Sequence, residues 1–238
     1  MKLTLIGTGA IYTKYHSAST LVNEDILIDT PNGTLKQLLR QNVKPEKIKA
    51  ILITHFHGDH IADLPFLLKY RFPYLESKEP ITIYGPKGIK NQVISLFKSY
   101  YFGDEQEIEQ MREVHFEEVE EGKTITLETY EIEPYAVQHS EIVEAYGYTI
   151  NHKLGLTGDT ALGEGVRKIW QQSEVMVADC SLITKTEEHM AIGDLKELLL
   201  EKEGIIIPTH LRDATREELR KHPIERILLK EDGDNFEW

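Results

Sequence analysis

The sequence predicts an α/β fold in one domain, with helices outside mixed β-sheets. Three observations lead there. Strand-like and helix-like segments alternate along all 238 residues. Some strands pair as hairpins while others are separated by helices, the signature of mixed rather than purely parallel sheets. No fixed-period repeat and no low-complexity linker cuts the chain, so a single domain over residues 1–238 is expected.

In order, Lys2–Ile6 reads as an apolar strand closed by Gly7-Thr8-Gly9. Ser19–Val22 and Ile26–Asp29 read as a hairpin around the turn residues Asn23-Glu24-Asp25. Thr34–Gln41 puts leucines at 35, 38 and 39 on one face of a short helix. Ala50–Ile53 is a β-branched run ending at Thr54-His55. Ile61–Tyr70 has a helical stripe at 61, 64, 67 and 68, interrupted only by Pro65. Ile81–Tyr84 is a short strand, Ile89–Tyr101 a helix, and Asp104–Glu121 an acidic surface segment. Lys123–Gln138 and Ala145–Asn151 alternate as strands, followed by a strand at Leu154–Thr157. Helices at Leu162–Gln172, Ile192–Glu201 and Arg216–His222 then alternate with strands at Val175–Ala178, Ile205–Ile207 and Ile227–Leu229.

Composition narrows the function. The chain carries 40 acidic and 27 basic residues, a formal net charge of −13. That balance argues against a protein whose main task is coating nucleic acid or an anionic membrane. No apolar run approaches the roughly 20 residues of a membrane span, and MKLTLIGTGA reads as a first strand rather than a signal peptide. The single cysteine, Cys180, excludes an intramolecular disulfide. Its apolar strand context predicts burial, with no neighbouring base to make it a nucleophile. A cytoplasmic location with no membrane partner is the expectation.

The strongest chemical signal is Thr54-His55-Phe56-His57-Gly58-Asp59-His60. Three imidazoles and a carboxylate fall within six residues, directly after an apolar strand. Histidine and aspartate are ligands that Zn²⁺, Fe²⁺ and Mn²⁺ all accept. His55 and His57 can point to one side of an extended turn, and Asp59 and His60 fall at a helix start. Gly58 is expected to permit a tight backbone between them.

This H-x-H-x-D-H string resembles the metallo-β-lactamase superfamily, and further family signatures follow in order. His139 comes after the strand ending at Gln138, Asp159 lies in Thr157-Gly158-Asp159-Thr160, and His210 lies in Pro208-Thr209-His210-Leu211. The resemblance covers essentially the whole chain. It implies a four-layer αβ/βα sandwich of two mixed sheets and two divalent metal ions, zinc first, with manganese or iron as alternatives. It also implies that His55, His57 and His139 hold one ion, that Asp59, His60 and His210 hold the other, and that Asp159 bridges them. A metal-bridged hydroxide would be the nucleophile, oriented by Asp59. Asp29 resembles an early family aspartate that orients a ligand.

Glu187-Glu188-His189-Met190-Ala191 looks like the extra histidine of the ribonuclease Z and small phosphodiesterase branch. The resemblance implies that His189 assists catalysis at the phosphate. Asp63-Leu64-Pro65, Ala178-Asp179-Cys180-Ser181 and Gln138-His139-Ser140 look like the same branch. Departures point away from tRNA processing. No arginine–asparagine segment follows Gly9, Met190-Ala191 stands where ribonuclease Z usually has Ser-Thr, and no long glycine- and proline-rich insertion is present. The expected substrate is therefore a small or cyclic phosphoester. A ribonuclease acting on RNA 3′ ends and an ester, thioester or lactone hydrolase on the same metal centre are the alternatives. RNA is a disfavoured partner, and exposed strand edges permit a homodimer. Two basic-aromatic segments, Lys14-Tyr15-His16 and Lys69 to Tyr74, are candidates for lining a substrate pocket, although a helix end with packed aromatics is the better reading of the second.

Overall fold

The computed structural model describes residues 1–101 and 111–238, whose strands form two mixed sheets. The chain divides into two compact units, each with its own sheet. The first comprises Met1–Gly7, His16–Glu118 and Asp232–Trp238, and the second Thr8–Tyr15 and Val119–Glu231.

The first unit contains β1 (Lys2–Gly7), β2 (Ser19–Val22), β3 (Ile26–Ile28), β4 (Ala50–Leu52), β5 (Ile81–Gly85), β6 (Val114–Glu118) and the last strand, β13 (Asn235–Glu237). Their order is β13-β1-β2-β3-β4-β5-β6. β1, β2 and β3 pair antiparallel, with Leu21 opposite Leu27 in the hairpin, whereas β3 to β6 run parallel. β3 and β4 are buried at every position, so they read as unbroken apolar runs, as parallel strands covered on both faces do. Helix Ile89–Tyr101 buries Ile89, Val93, Ile94 and Phe97, one stripe at helical spacing. These join Ile51, Ile83, Leu64 and Leu67 in the unit's core.

The second unit contains β7 (Ile125–Leu127), β8 (Tyr130–Ala136), β9 (Tyr146–Ile150), β10 (Leu154–Leu156), β11 (Val175–Asp179) and β12 (Ile205–Thr209). Their order is β12-β11-β10-β9-β8-β7. β7 to β10 form an antiparallel meander, and β10, β11 and β12 are parallel. Helix Glu164–Gln171 joins β10 to β11 and helix Ile192–Glu201 precedes β12, the crossovers that parallel pairing requires. Trp170 is fully buried and donates its indole N–H to the Leu198 carbonyl at 2.7 Å.

Most expected elements appear within a residue or two, and the departures have local causes. The stripe Ile61–Tyr70 is two helices, Gly58–Ile61 and Leu64–Lys69, followed by a π-helical turn at Tyr70–Tyr74. Asp63 stands at the break, where its carboxylate accepts the backbone N–H groups of Gly33 and Leu35. The hairpin of β7 and β8 splits Lys123–Gln138, with Glu128 at a positive φ of 52° in the turn. Ile227–Leu229 makes only an isolated bridge, Ile206 to Ile227, and the acidic tail instead supplies β13. The last helix begins earlier than expected, at Asp213 rather than Arg216. Asp104–Glu121 falls partly outside the described residues, and its end forms the edge strand β6.

Arg71 is not available to a substrate. It is fully buried and donates to the carbonyls of Pro45, Ile48, Glu79 and Pro80. Burial lowers its pKa to about 10, against the opposing charges of Glu46 and Glu79. Lys69 covers the Tyr101 ring at 4.1 Å, and Tyr70 stacks on Tyr74 at 5.3 Å. This segment is a packed helix end.

Candidate metal centre

In the first unit the histidine motif follows β4. Asp29, just after the parallel neighbour β3, has a left-handed φ of 57°, a conformation that aspartate tolerates better than most residues. Its buried carboxylate accepts the Thr54 N–H at 2.8 Å, the Thr54 hydroxyl at 2.8 Å and His60 Nδ1–H at 2.7 Å. Burial pushes this carboxyl above its ordinary range, while His60 and Thr54 pull it back.

These bonds select tautomers. The Thr54 hydroxyl proton is committed to Asp29, so Thr54 Oγ1 accepts from His55 Nδ1–H at 3.0 Å. His55 and His60 therefore carry their lone pairs on Nε2, the state a divalent ion needs. The His55 and His57 ring centroids are 4.6 Å apart, those of His55 and His60 4.1 Å apart, and His60 Nε2 lies 3.8 Å from Asp59 Oδ2. His55 and His60 are buried and His57 is exposed. Gly58 does not serve as expected. Its φ is not positive, and a Cβ built there meets no neighbour within 4 Å. Close approach matters instead at Gly7, where a Cβ would come within 2.0 Å of the Ser17 carbonyl oxygen.

The second unit gathers its groups from strand ends. His139 follows β8 and donates Nδ1–H to the Glu188 carbonyl at 3.1 Å. His210 follows β12 with a left-handed φ of 53°. Ser181 commits its hydroxyl proton to the His210 carbonyl at 2.9 Å, so Ser181 Oγ accepts from His210 Nδ1–H at 2.5 Å. His210 Nε2 then faces Asp159 Oδ2 at 3.2 Å.

His189 joins this cluster. Its ring lies 5.1 Å from that of His139 and stacks 5.1 Å from that of His210. Its Nδ1 is held by Asp179 Oδ2 at 2.7 Å. Ligand atoms of Asp159, Asp179, His189 and His210 all lie within 4.8 Å of one another. Burial of His189 disfavours its protonation, but the hydrogen bond and charge of Asp179, with the charge of Asp159, outweigh it. The pKa rises, against Arg212.

Asp179 is the group that sequence reasoning left without a role. It is fully buried at the end of β11 and also accepts the N–H groups of Thr160 and Ser181. An acid closing the apolar run Val175–Ala178 was the available signal, because a buried carboxylate needs partners. Of the early loop, Tyr15 lies under the Arg216 guanidinium at 3.8 Å. His16 is tied to Asp232 through its backbone N–H.

The donor chemistry fits divalent ions in both units. The imidazoles of His55, His60, His139 and His210 are held through Nδ1, leaving Nε2 as acceptor beside carboxylates, a combination suited to zinc, manganese and iron.

Ribonuclease Z of Streptococcus thermophilus (strain ATCC BAA-491 / LMD-9) is 33% identical over 169 residues, covering 64% of this chain and 51% of that protein. The chain thus spans about half the length of the curated relatives it matches. A diphosphatase from the PhnP family superposes with a TM-score of 0.81 at 21% identity, covering 100% of this chain and 97% of the other. Human tRNase Z, short form, superposes with a TM-score of 0.76 at 21% identity, covering 100% and 99%. The fold is the α/β metallo-β-lactamase fold with two mixed sheets. The model of the Anti-Pycsar protein Apyc1 family matches residues 1–231, and the chain belongs to that family.

Proposed function

With that family as premise, we propose that the chain is a dinuclear metal-dependent phosphodiesterase acting on a small or cyclic phosphoester. The ligands in this reading are His55, His57, Asp59, His60, His139, Asp159 and His210. When bound, the ions supply Lewis-acid activation of water and of the phosphoryl group. The chain's own groups do the rest. Asp59 orients the attacking water and accepts its proton. His189 donates a proton to the departing oxygen, or a hydrogen bond to the phosphate, and Asp179 holds its ring for that task.

One observation carries the reading. His189 lies among His139, His210 and Asp159 and is tied through Nδ1 to the buried Asp179. An ester or lactone hydrolase has less use for a proton donor placed beside an anionic phosphate. The net charge of −13 favours a small substrate over RNA. With one cysteine, buried and free, the chain suits a reducing cytoplasm.

The test is a substrate panel on metal-reconstituted protein: linear and cyclic small phosphodiesters, a precursor RNA with a 3′ extension, and carboxylic ester, thioester and lactone substrates. Turnover confined to the small diesters is expected. Turnover confined to RNA, or to the carboxylic substrates, would replace the reading with one of its alternatives.

A further inference from the structure

Beside His210 the second unit holds a cleft of about 370 Å³, lined by Ala10–Thr13, His210, Arg212 and Asp213. That volume lies in the range that accepts a small organic ligand. Its wall is prebuilt. Ala10 N–H donates to the Leu211 carbonyl at 3.1 Å, and Leu211 N–H to the Thr8 carbonyl at 3.0 Å. The buried Arg216 donates to Thr8 Oγ1 at 2.6 Å. The segment lining one side is thereby clipped to the strand end that carries His210.

Arg212 stands apart from its neighbours. Arg216 pairs with Glu231 at 3.1 Å, and Arg220 pairs with Glu217 and Glu231. Arg212 is exposed, and its guanidinium forms no hydrogen bond or ion pair among the described residues. In a chain with 40 acidic and 27 basic residues, a guanidinium kept out of ion pairs beside a ligand cluster is best explained by an anion that arrives with the substrate. Guanidinium matches phosphate oxygens with charge-assisted, often bidentate, hydrogen bonds. Its charge also acts on His189, where it opposes protonation of the ring.

We infer that Arg212 grips a non-bridging oxygen of the phosphodiester, seats its organic group in the cleft formed with Ala10–Thr13, and so selects anionic over neutral esters. This rests on the phosphodiesterase reading. Arg212 contacts substrate without taking or giving a proton, so its loss acts on binding before turnover.

The experiment compares holoprotein of wild type, Arg212→Gln and Arg212→Lys at equal metal content. Steady-state kinetics use bis(p-nitrophenyl) phosphate and the neutral p-nitrophenyl acetate. Calorimetry measures phenyl phosphate affinity. For Arg212→Gln, KM for the diester should rise about tenfold with a much smaller change in kcat, as loss of a charge-assisted contact predicts. The diester-to-acetate ratio of kcat/KM should fall, phenyl phosphate should bind correspondingly more weakly, and Arg212→Lys should recover part of both. Unchanged diester KM and unchanged phenyl phosphate affinity in Arg212→Gln would overturn the role of Arg212. Wild type that turns over the acetate alone would overturn the phosphodiesterase reading, and phenyl phosphate affinity would still decide on Arg212.

Discussion

The two units reach the same chemistry by different routes. The first takes His55, His57, Asp59 and His60 from one stretch after β4 and braces them with Asp29 and Thr54. The second takes His139, Asp159, Asp179, His189 and His210 from the ends of separate strands and the loops that follow them. Both use the same device. A buried oxygen fixes the rings of His55, His60, His189 and His210 through Nδ1, and one site residue, Asp29 or His210, takes a left-handed backbone conformation that is costly unless its surroundings enforce it. The second unit alone adds a histidine, His189, that belongs to neither proposed ligand set. The proposed function turns this into a division of labour, in which the first unit would supply metal ligands and the second would supply metal ligands and also act on the substrate.

Replacing the buried carboxylates tests that division. Asp29→Asn keeps the shape but removes the charge that orients His60, so metal affinity should fall by about 10–100-fold, measured by competition with a chelator. Asp179→Asn should leave metal affinity near wild type and lower kcat by a similar factor of about 10–100. If the two variants exchange phenotypes, the division is wrong.

The smallest effect concerns Cys180, fully buried beside Asp179. Burial, reinforced by the charges of Asp179 and Asp194, pushes the thiol well above its usual pKa. It therefore stays protonated across the neutral range, and the thiolate is the reactive form. A thiol reagent at pH 8 should label native protein far more slowly than denatured protein. Rapid labelling of the native protein would show that the end of β11 opens more readily than its packing implies.

Legibility followed contiguity. The motif from His55 to His60 carries its meaning in adjacent residues, and the strands β3 and β4 that position it are plain apolar runs. His139, Asp159 and His210 could be singled out only by resemblance, because each alone is an ordinary strand-end or turn residue. Asp179 was passed over because its role depends on His189, which reaches it across a loop. For Lys69 to Tyr74 the ordinary reading, a packed helix end, was the better one: the π-helical turn aims Arg71 at four carbonyls inside the first unit. β13 was missed because an acidic tail looks solvated until β1 offers it an edge.

The central claim is that His189 serves the phosphate rather than the metals. It is tested most directly by bis(p-nitrophenyl) phosphate turnover of wild type and His189→Ala, with metal content determined on both. The expected result is a fall in kcat of about 10²–10⁴-fold at unchanged metal content. Turnover near that of wild type, or a fall that tracks lost metal, would contradict it.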